Sequence, residues 1–274
     1  MDPDPVFHDE AAARAQGLSD MVAPPVFFGA ATGLKNVAAG DARTMFWNNV
    51  ILPDGWFSMA SGDEFEFYAP VRPGMTLFAR ERLVDAYEKT GRNGRLIFFT
   101  YEKVFESFDG GLVMRRLIKC AARAALPSSS TSPGRKASDL MVDGCEALPS
   151  LTVGPVTVRY LAMFATATAE YVDFHYDADY ARSVGLPGPI IQGLYKTALI
   201  GQVLSRYGGY EGGVQSLNVQ HRGMDLAGSV LTAGGCVASR TGQEADEILS
   251  CRVWVENQDG VVTTEGTAKV RARS

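Results

Sequence analysis

The chain of 274 residues repeats itself, and that repeat limits what it can fold into more than any other feature. The stretch DPDPVFHDEAAARAQGLSDMVAPP, Asp2 to Pro25, aligns without a gap with EYVDFHYDADYARSVGLPGPIIQG, Glu170 to Gly193, at an offset of 168 residues (Glu170 on Asp2). This pairs Asp9 with Asp177, Ala13 with Ala181, Arg14 with Arg182, Gly17 with Gly185 and Leu18 with Leu186. Both copies then run into apolar sequence, VFFGAATGL and LYKTALIGQVL. Later in each half, VFESFDGGLV matches VWVENQDGVV at an offset of 150 (Asp259 on Asp109), an Asp-Gly turn between strand-like runs. The first half therefore holds about 18 extra residues, which AAGDARTMFWNNVILPDGW accommodates. Two copies of one unit imply a duplicated domain with a pseudo-two-fold relation.

The segment Leu126 to Asp139, LPSSSTSPGRKASD, is rich in Ser and Pro, has no apolar periodicity and reads as an exposed linker. It divides the chain into residues 1–126, a linker over 127–150 and residues 151–274. In each half a helix-forming stretch carrying the repeat comes first, followed by a longer apolar helix, Leu194 to Tyr207 in the second copy. Strands follow: EFEFYAPV, TLFARERLVDAYEK, RLIFFTYEKVFES and GLVMRRLIKCAARA in the first half. The second half has VQSLNVQHRG, SVLTAGGCVASR, EILSCRVWVEN and VVTTEGTAKVRA. Alternation is clearest where Cys251, Val253 and Val255 interleave with Arg252, Trp254 and Glu256. A helix followed by an antiparallel meander predicts an α+β fold, a curved sheet wrapped around a central helix in each half. The second copy has TVGPVTVRYLAMFATATAE before its repeat, room for a first strand and a helical lead-in. The first copy begins at its repeat, so either the start lies upstream or the first elements are lost, leaving a sheet edge to be covered.

Composition removes several classes of function. The formal charge is −5 with both signs interleaved, and there is no basic stripe of the kind nucleic-acid binding needs. A polyanionic ligand would have to find a local cationic patch. Cys120, Cys145, Cys236 and Cys251 show no CxxC pairing, so they read as small apolar residues rather than metal or redox ligands. The start MDPDPVFHDE is acidic without an apolar core, so no signal peptide is expected, and no apolar run reaches membrane-spanning length. A cytoplasmic protein is the simplest expectation.

The order EYVDFHYD, then GLPGPIIQG, then an apolar helix resembles the MaoC-like (R)-specific enoyl-CoA hydratases and 3-hydroxyacyl-thioester dehydratases. The two-copy arrangement resembles the double hot-dog members of that family, and PVRPGMTLFARERLVDAYEK in the first half is similar to their first sheet strands. The family motif, D-x-N-P-x-H-x-D, places the catalytic acid at Glu170 and the catalytic histidine at His175. Its Asn and Pro become Val172 and Asp173, and its His-Gly pair at the helix start becomes Gln192-Gly193. In the first copy the acid falls on Asp2 and the histidine on Phe7, with His8 one residue late, so that copy reads as catalytically silent.

The resemblance implies a hydro-lyase: reversible hydration of a 2-enoyl thioester to a 3-hydroxyacyl thioester, in a pocket between the domains. CoA is the expected carrier and acyl carrier protein the alternative; no metal or organic cofactor is needed. The reaction requires a base for water, an acid for Cα and donors for the thioester oxyanion. Glu170 and His175 holding one water would supply the first two. The Gly193 N–H at a helix start would supply the third, with Gln192 and Asp173 beside the substrate. Two other functions fit a hot-dog frame: a non-catalytic acyl-binding or structural subunit, and a thioesterase. A homodimer, or a heteromer with another hot-dog subunit, is the expected assembly. His221 in VQHRG reads as a strand or turn residue, Asp177 and Arg182 as a helix cap and an ion pair, and Lys196 as a helix residue reaching solvent.

Overall fold

Among the described residues eight long strands form, seven of them where the alternating runs place them. The computed structural model describes residues 4–26, 52, 55–91, 94–124, 134–168, 170–242 and 247–272. The first half supplies α1 (Glu10–Ala15), β1 (Trp56–Phe67), β2 (Leu77–Gly91), β3 (Gly94–Ser107) and β4 (Leu112–Ala124). The second supplies the short β5 (Glu146–Ala147) and β6 (Leu151–Val153), then α2 (Val158–Thr168), α3 (Ala178–Ser183) and α4 (Gly193–Gly208). It ends with β7 (Val214–His221), β8 (Leu231–Thr241), β9 (Ile248–Asn257) and β10 (Val262–Arg271). The apolar run beyond Val26, most of the extra segment, Asp2 and the Ser-rich part of the linker lie outside the described residues.

The ten described strands join one sheet, in the order β2-β3-β4-β1-β7-β10-β9-β8-β5, with β6 also on β8. The halves meet where β1 runs antiparallel to β7, from Gly62 opposite Gln220 to Glu66 opposite Ser216. The duplication is written into the register: Phe67 pairs with Met114 on β4 as His221 pairs with Thr264 on β10. The Asp-Gly turns are copies too. The Ser107 and Gly110 N–H groups bond Gly111 and Ser107 carbonyls at 2.8 and 2.9 Å, and Asn257 and Gly260 bond Val261 and Asn257 at 3.0 Å each.

The core forms because α4 is apolar nearly all round and lies in the curve of β7 to β10, touching β1 as well. Leu199, Ile200, Val203 and Leu204 pack there against Leu217, Val219, Val253 and Val270. Gly209, with φ 92°, ends the helix in a conformation that side-chain-bearing residues avoid. No described helix is long and apolar enough to cross a membrane.

Four details differ from the sequence expectations. β1 starts at Trp56, well before Glu64, because Ser58, Ser61, Gly62 and Asp63 and a bulge between Ala60 and Gly62 hide its alternation. Trp254 points to the outer face as expected but is buried there, under Leu140, with Cys236 and Val262. The end of the expected linker is therefore packed on the second half: the Val262 N–H donates to the Arg135 carbonyl at 2.8 Å and Arg252 to the Leu140 carbonyl at 3.2 Å. Lys196, expected to reach solvent, is 2% exposed. The two edges of the sheet are unlike each other. β8 carries β5 and β6 on its outer side, whereas no further strand borders β2 among the described residues. Phe78, Leu83, Val84 and Tyr87 of β2 are exposed.

Candidate active site

The repeat folds the same way twice. Asp173–His175 and Pro5–Phe7 are both short 3-10 turns. After each, an aspartate caps a six-residue helix: Asp177 accepts from the Asp179 and Tyr180 N–H groups, Asp9 from those of Ala11 and Ala12. Both helices close through the backbone, Leu186 N–H to Ala181 O at 3.0 Å and Leu18 N–H to Ala13 O at 3.1 Å. Gly185 and Gly17 turn the chain at φ 86° and 80°. The small clusters beneath correspond residue for residue: Phe174, Ala181, Leu186 and Ile190 against Val6, Ala13, Leu18 and Val22. Asp177 and Asp9 are thus caps, and Arg182 and Arg14 pair within their own helices with Asp179 and Glu10. The histidine position differs. His175 is buried, while its counterpart Phe7 packs edge-on against Tyr210 and His8 is exposed.

This turn fixes the His175 ring. With the Ile190 carbonyl 2.7 Å from Nδ1, that nitrogen carries the proton and donates, which leaves Nε2 as the acceptor. Burial pushes the His175 pKa down to about 4 despite that bond, so the ring is neutral at physiological pH. Glu170 follows α2, its N–H bonded to the Ala165 carbonyl at 3.0 Å. Desolvation raises its carboxyl to about 7; Arg116 pulls it down and Asp63 pushes it up. The same segment thus carries a carboxyl that titrates near neutrality and an imidazole that does not. No hydrogen bond joins the two among the described residues. Asp173 does not join them: in a 3-10 turn rather than an extended run, it is exposed and accepts from the Tyr176 hydroxyl at 2.9 Å.

The two titrations act on stability in opposite directions. A folded histidine pKa of about 4, against 6.5 unfolded, means stability is lost as pH falls from 6.5 towards 4. A folded Glu170 value of about 7, against 4.5, means stability is lost as pH rises through that window. The variant His175→Gln is expected to remove the first loss, worth at most about 3 kcal/mol. Thermal melts of both proteins from pH 7 to 4 will show it as wild type losing ground to the variant.

The start of α4 is left without a side-chain cap. Gln192 occupies the cap position, but its amide donates instead to the Leu161 carbonyl of α2 at 3.0 Å, fully buried. The first N–H groups of a 16-residue helix therefore remain available to an oxyanion. Gly193 has an added reason to be glycine: a Cβ there would stand 2.6 Å from His221 Nε2. Gly193→Ala is expected to push the His221 ring aside and cost about 1–3 kcal/mol, read from urea denaturation.

His221 in turn faces the other half of the molecule. Its Nε2 lies 3.5 Å from Asp63 Oδ2, the outer limit of a hydrogen bond, and its Nδ1 lies 3.1 Å from Thr264 Oγ1. Asp63, with no exposed surface, takes Arg116 Nε and Nη2 at 2.8 and 2.6 Å on Oδ1. Burial alone would raise the Asp63 carboxyl; Arg116 and His221 outweigh it and hold it below the usual carboxylate range. Burial likewise keeps His221 below the ordinary histidine value. A cavity of about 700 Å³ lies elsewhere. It includes Pro25 and Phe67, the repeat counterparts of Gly193 and His221, and so belongs to the copy without the histidine.

Among solved structures, a MaoC-like dehydratase is similar over 99% of this chain and 90% of its own, with a TM-score of 0.75 and 18% identity. A putative MaoC domain dehydratase from Chloroflexus aurantiacus gives 0.62 and 13% over 99% and 88% of the two chains. A conserved hypothetical protein from Mycobacterium tuberculosis, with a double hotdog fold, gives 0.61 and 14% over 97% and 87%. This chain has the MaoC-like double hot-dog fold. Within this double hot-dog, residues 1–116 match the family model described as FAS1-like, dehydratase domain region. The family signature thus falls on the half whose motif lacks the histidine. No curated protein matches the chain.

Of the residues expected from the motif, the double hot-dog brings His175 to the Ile190 carbonyl that leads into Gln192 and Gly193, and puts Glu170 within electrostatic reach of Arg116 and Asp63. Sequence reading missed Asp63 and Arg116 and left His221 as a plain strand residue. His221 is a strand residue, the last of β7, and its ring also packs against Gly193 at the helix start. One signal was available: Arg116 interrupts the inward series Met114, Ile118, Cys120 with a charge.

Proposed function

We propose that this protein catalyses the reversible hydration of a 2-enoyl thioester, carried on CoA, to the 3-hydroxyacyl thioester. The observation that carries the reading is a buried carboxyl held near neutrality, Glu170, on the same segment as the buried neutral His175 and leading to an uncapped helix start. In the hydration direction the Glu170 carboxylate takes a proton from water as the water oxygen bonds to Cβ. The C=C electron pair moves towards the thioester carbonyl, where the Gly193 N–H stabilises the enolate oxygen. Glu170 then returns the proton to Cα, so one water is added and the carboxylate is restored. His175 Nε2 accepts the water's second hydrogen and aligns it. With a pKa of about 4 it orients rather than carries the proton.

The comparisons support hydratase or dehydratase chemistry only at the level of fold and family region. Incubation with short and medium trans-2-enoyl-CoA esters tests the reading, with enoyl absorbance and product mass as readouts. A 3-hydroxyacyl-CoA supports it. Free CoA thiol would make the protein a thioesterase, and binding without turnover an acyl-binding subunit. For assembly, the edge of β2, which no further described strand borders, supports a second hot-dog chain as partner, either another copy or a different subunit.

A further inference from the structure

We propose that Asp63 and Arg116, both from the half without a catalytic histidine, form a positioning pair that seats His221 against the start of α4 and sets the local charge around Glu170. The inference rests on the reading of Glu170 and Gly193 as hydratase groups.

The symmetry of the two halves is broken at four positions. The register that relates the halves puts Leu217 at the counterpart of Asp63, Gly266 at that of Arg116, Phe67 at that of His221 and Met114 at that of Thr264. On one side of the pseudo-dyad the four positions are Leu, Gly, Phe and Met; on the other they are Asp, Arg, His and Thr. The polar set is the one that meets Gly193. A buried ion pair is a weak source of stability, since desolvation offsets most of the attraction. The counterpart positions show that the fold does without it. Its geometry is also constrained: Arg116 is forked onto one oxygen of Asp63 and held over the Phe65 ring at 5.1 Å. That leaves Asp63 Oδ2 facing His221 Nε2 at 3.5 Å, both buried and neither with a closer hydrogen-bond partner among the described residues.

The charged and titratable groups packed around this point are Asp63 on β1, Arg116 and Cys120 on β4, His221 on β7 and Lys196 on α4. Glu81 on β2 acts on Cys120. Burial holds Cys120 up to about 12, so it stays a neutral thiol. Arg116 and Asp63 act on Glu170 with opposite sign, which makes the pair testable by direction and not only by size.

The test is the pH profile of hydration in Asp63→Asn and Arg116→Gln. The limb governed by Glu170 should move to lower pH in the first and to higher pH in the second, by about one pH unit each. Arg116→Lys keeps the charge and should restore the wild-type limb. In parallel, infrared difference spectra follow the Glu170 carboxyl as it titrates, assigned with Glu170→Gln, and need no turnover. Coincident limbs and carboxyl titrations in wild type and variants, or shifts of the same sign, overturn the inference while leaving the hydratase reading intact. If wild type hydrates nothing, that reading falls and the infrared titration alone decides this one. If Arg116→Gln does not fold, the acid shift of Asp63→Asn decides it.

Discussion

His175→Ala is expected to hydrate enoyl-CoA about 100- to 10,000-fold more slowly than wild type, the range over which a positioned acid–base or water-holding group acts. Glu170→Gln should lose at least as much, because it removes a carboxyl held near the working pH. The two losses should differ in their pH dependence. In His175→Ala the residual rate keeps the limb set by Glu170, near pH 7. In Glu170→Gln that limb disappears, since His175 near 4 cannot replace it. His175→Gln refines the test: an amide can still donate to the Ile190 carbonyl, so lost activity with an intact melting temperature separates water positioning from packing. Equal rates in wild type and His175→Ala would remove the histidine from the mechanism.

Most of the fold was legible because duplication repeats every local signal. The Asp cap, the positive-φ glycine and the Asp-Gly turn each occur twice, and in each copy the backbone bonds agree. The turn that carries His175 was legible for a related reason, as Asp177 and Gly185 dictate its shape locally. The rest of the site was not, because it depends on where two distant strands meet. Asp63 lies in the part of β1 whose small polar residues and bulge conceal its alternation. Arg116 is 53 residues further along the chain. Both come from the copy whose missing histidine reads as silence. Only the antiparallel seam of β1 with β7 brings them to His221, and no local pattern encodes that seam. A degenerate motif therefore says that a copy lacks one group, not that it contributes nothing.

Lys196→Met is expected to destabilise the protein by about 3–5 kcal/mol, the usual effect of removing one partner from a buried ion pair. Lys196 projects from the first turn of α4 and is nearly all enclosed. Its three donors reach the Gly223 carbonyl at 2.9 Å, Asp225 Oδ2 at 3.0 Å and Thr263 Oγ1 at 3.3 Å. The Thr263 hydroxyl donates to the same carboxylate oxygen at 2.6 Å. Without the lysine, Asp225 remains buried with an uncompensated charge. Lys196→Met combined with Asp225→Asn should therefore recover much of the loss, and urea midpoints of the single and double variants measure the coupling. The consequence extends to the site. The Asp225 carbonyl accepts from the Ile191 N–H at 2.8 Å, and the Pro189 carbonyl accepts from Ala227 at the same distance. The β7–β8 loop thus clamps the segment that carries both the Ile190 carbonyl, which orients His175, and the start of α4. Lys196 ties that clamp to β10 through Thr263. The single variant should lose hydration rate beyond what its remaining folded fraction explains, and the double variant should regain stability before it regains rate.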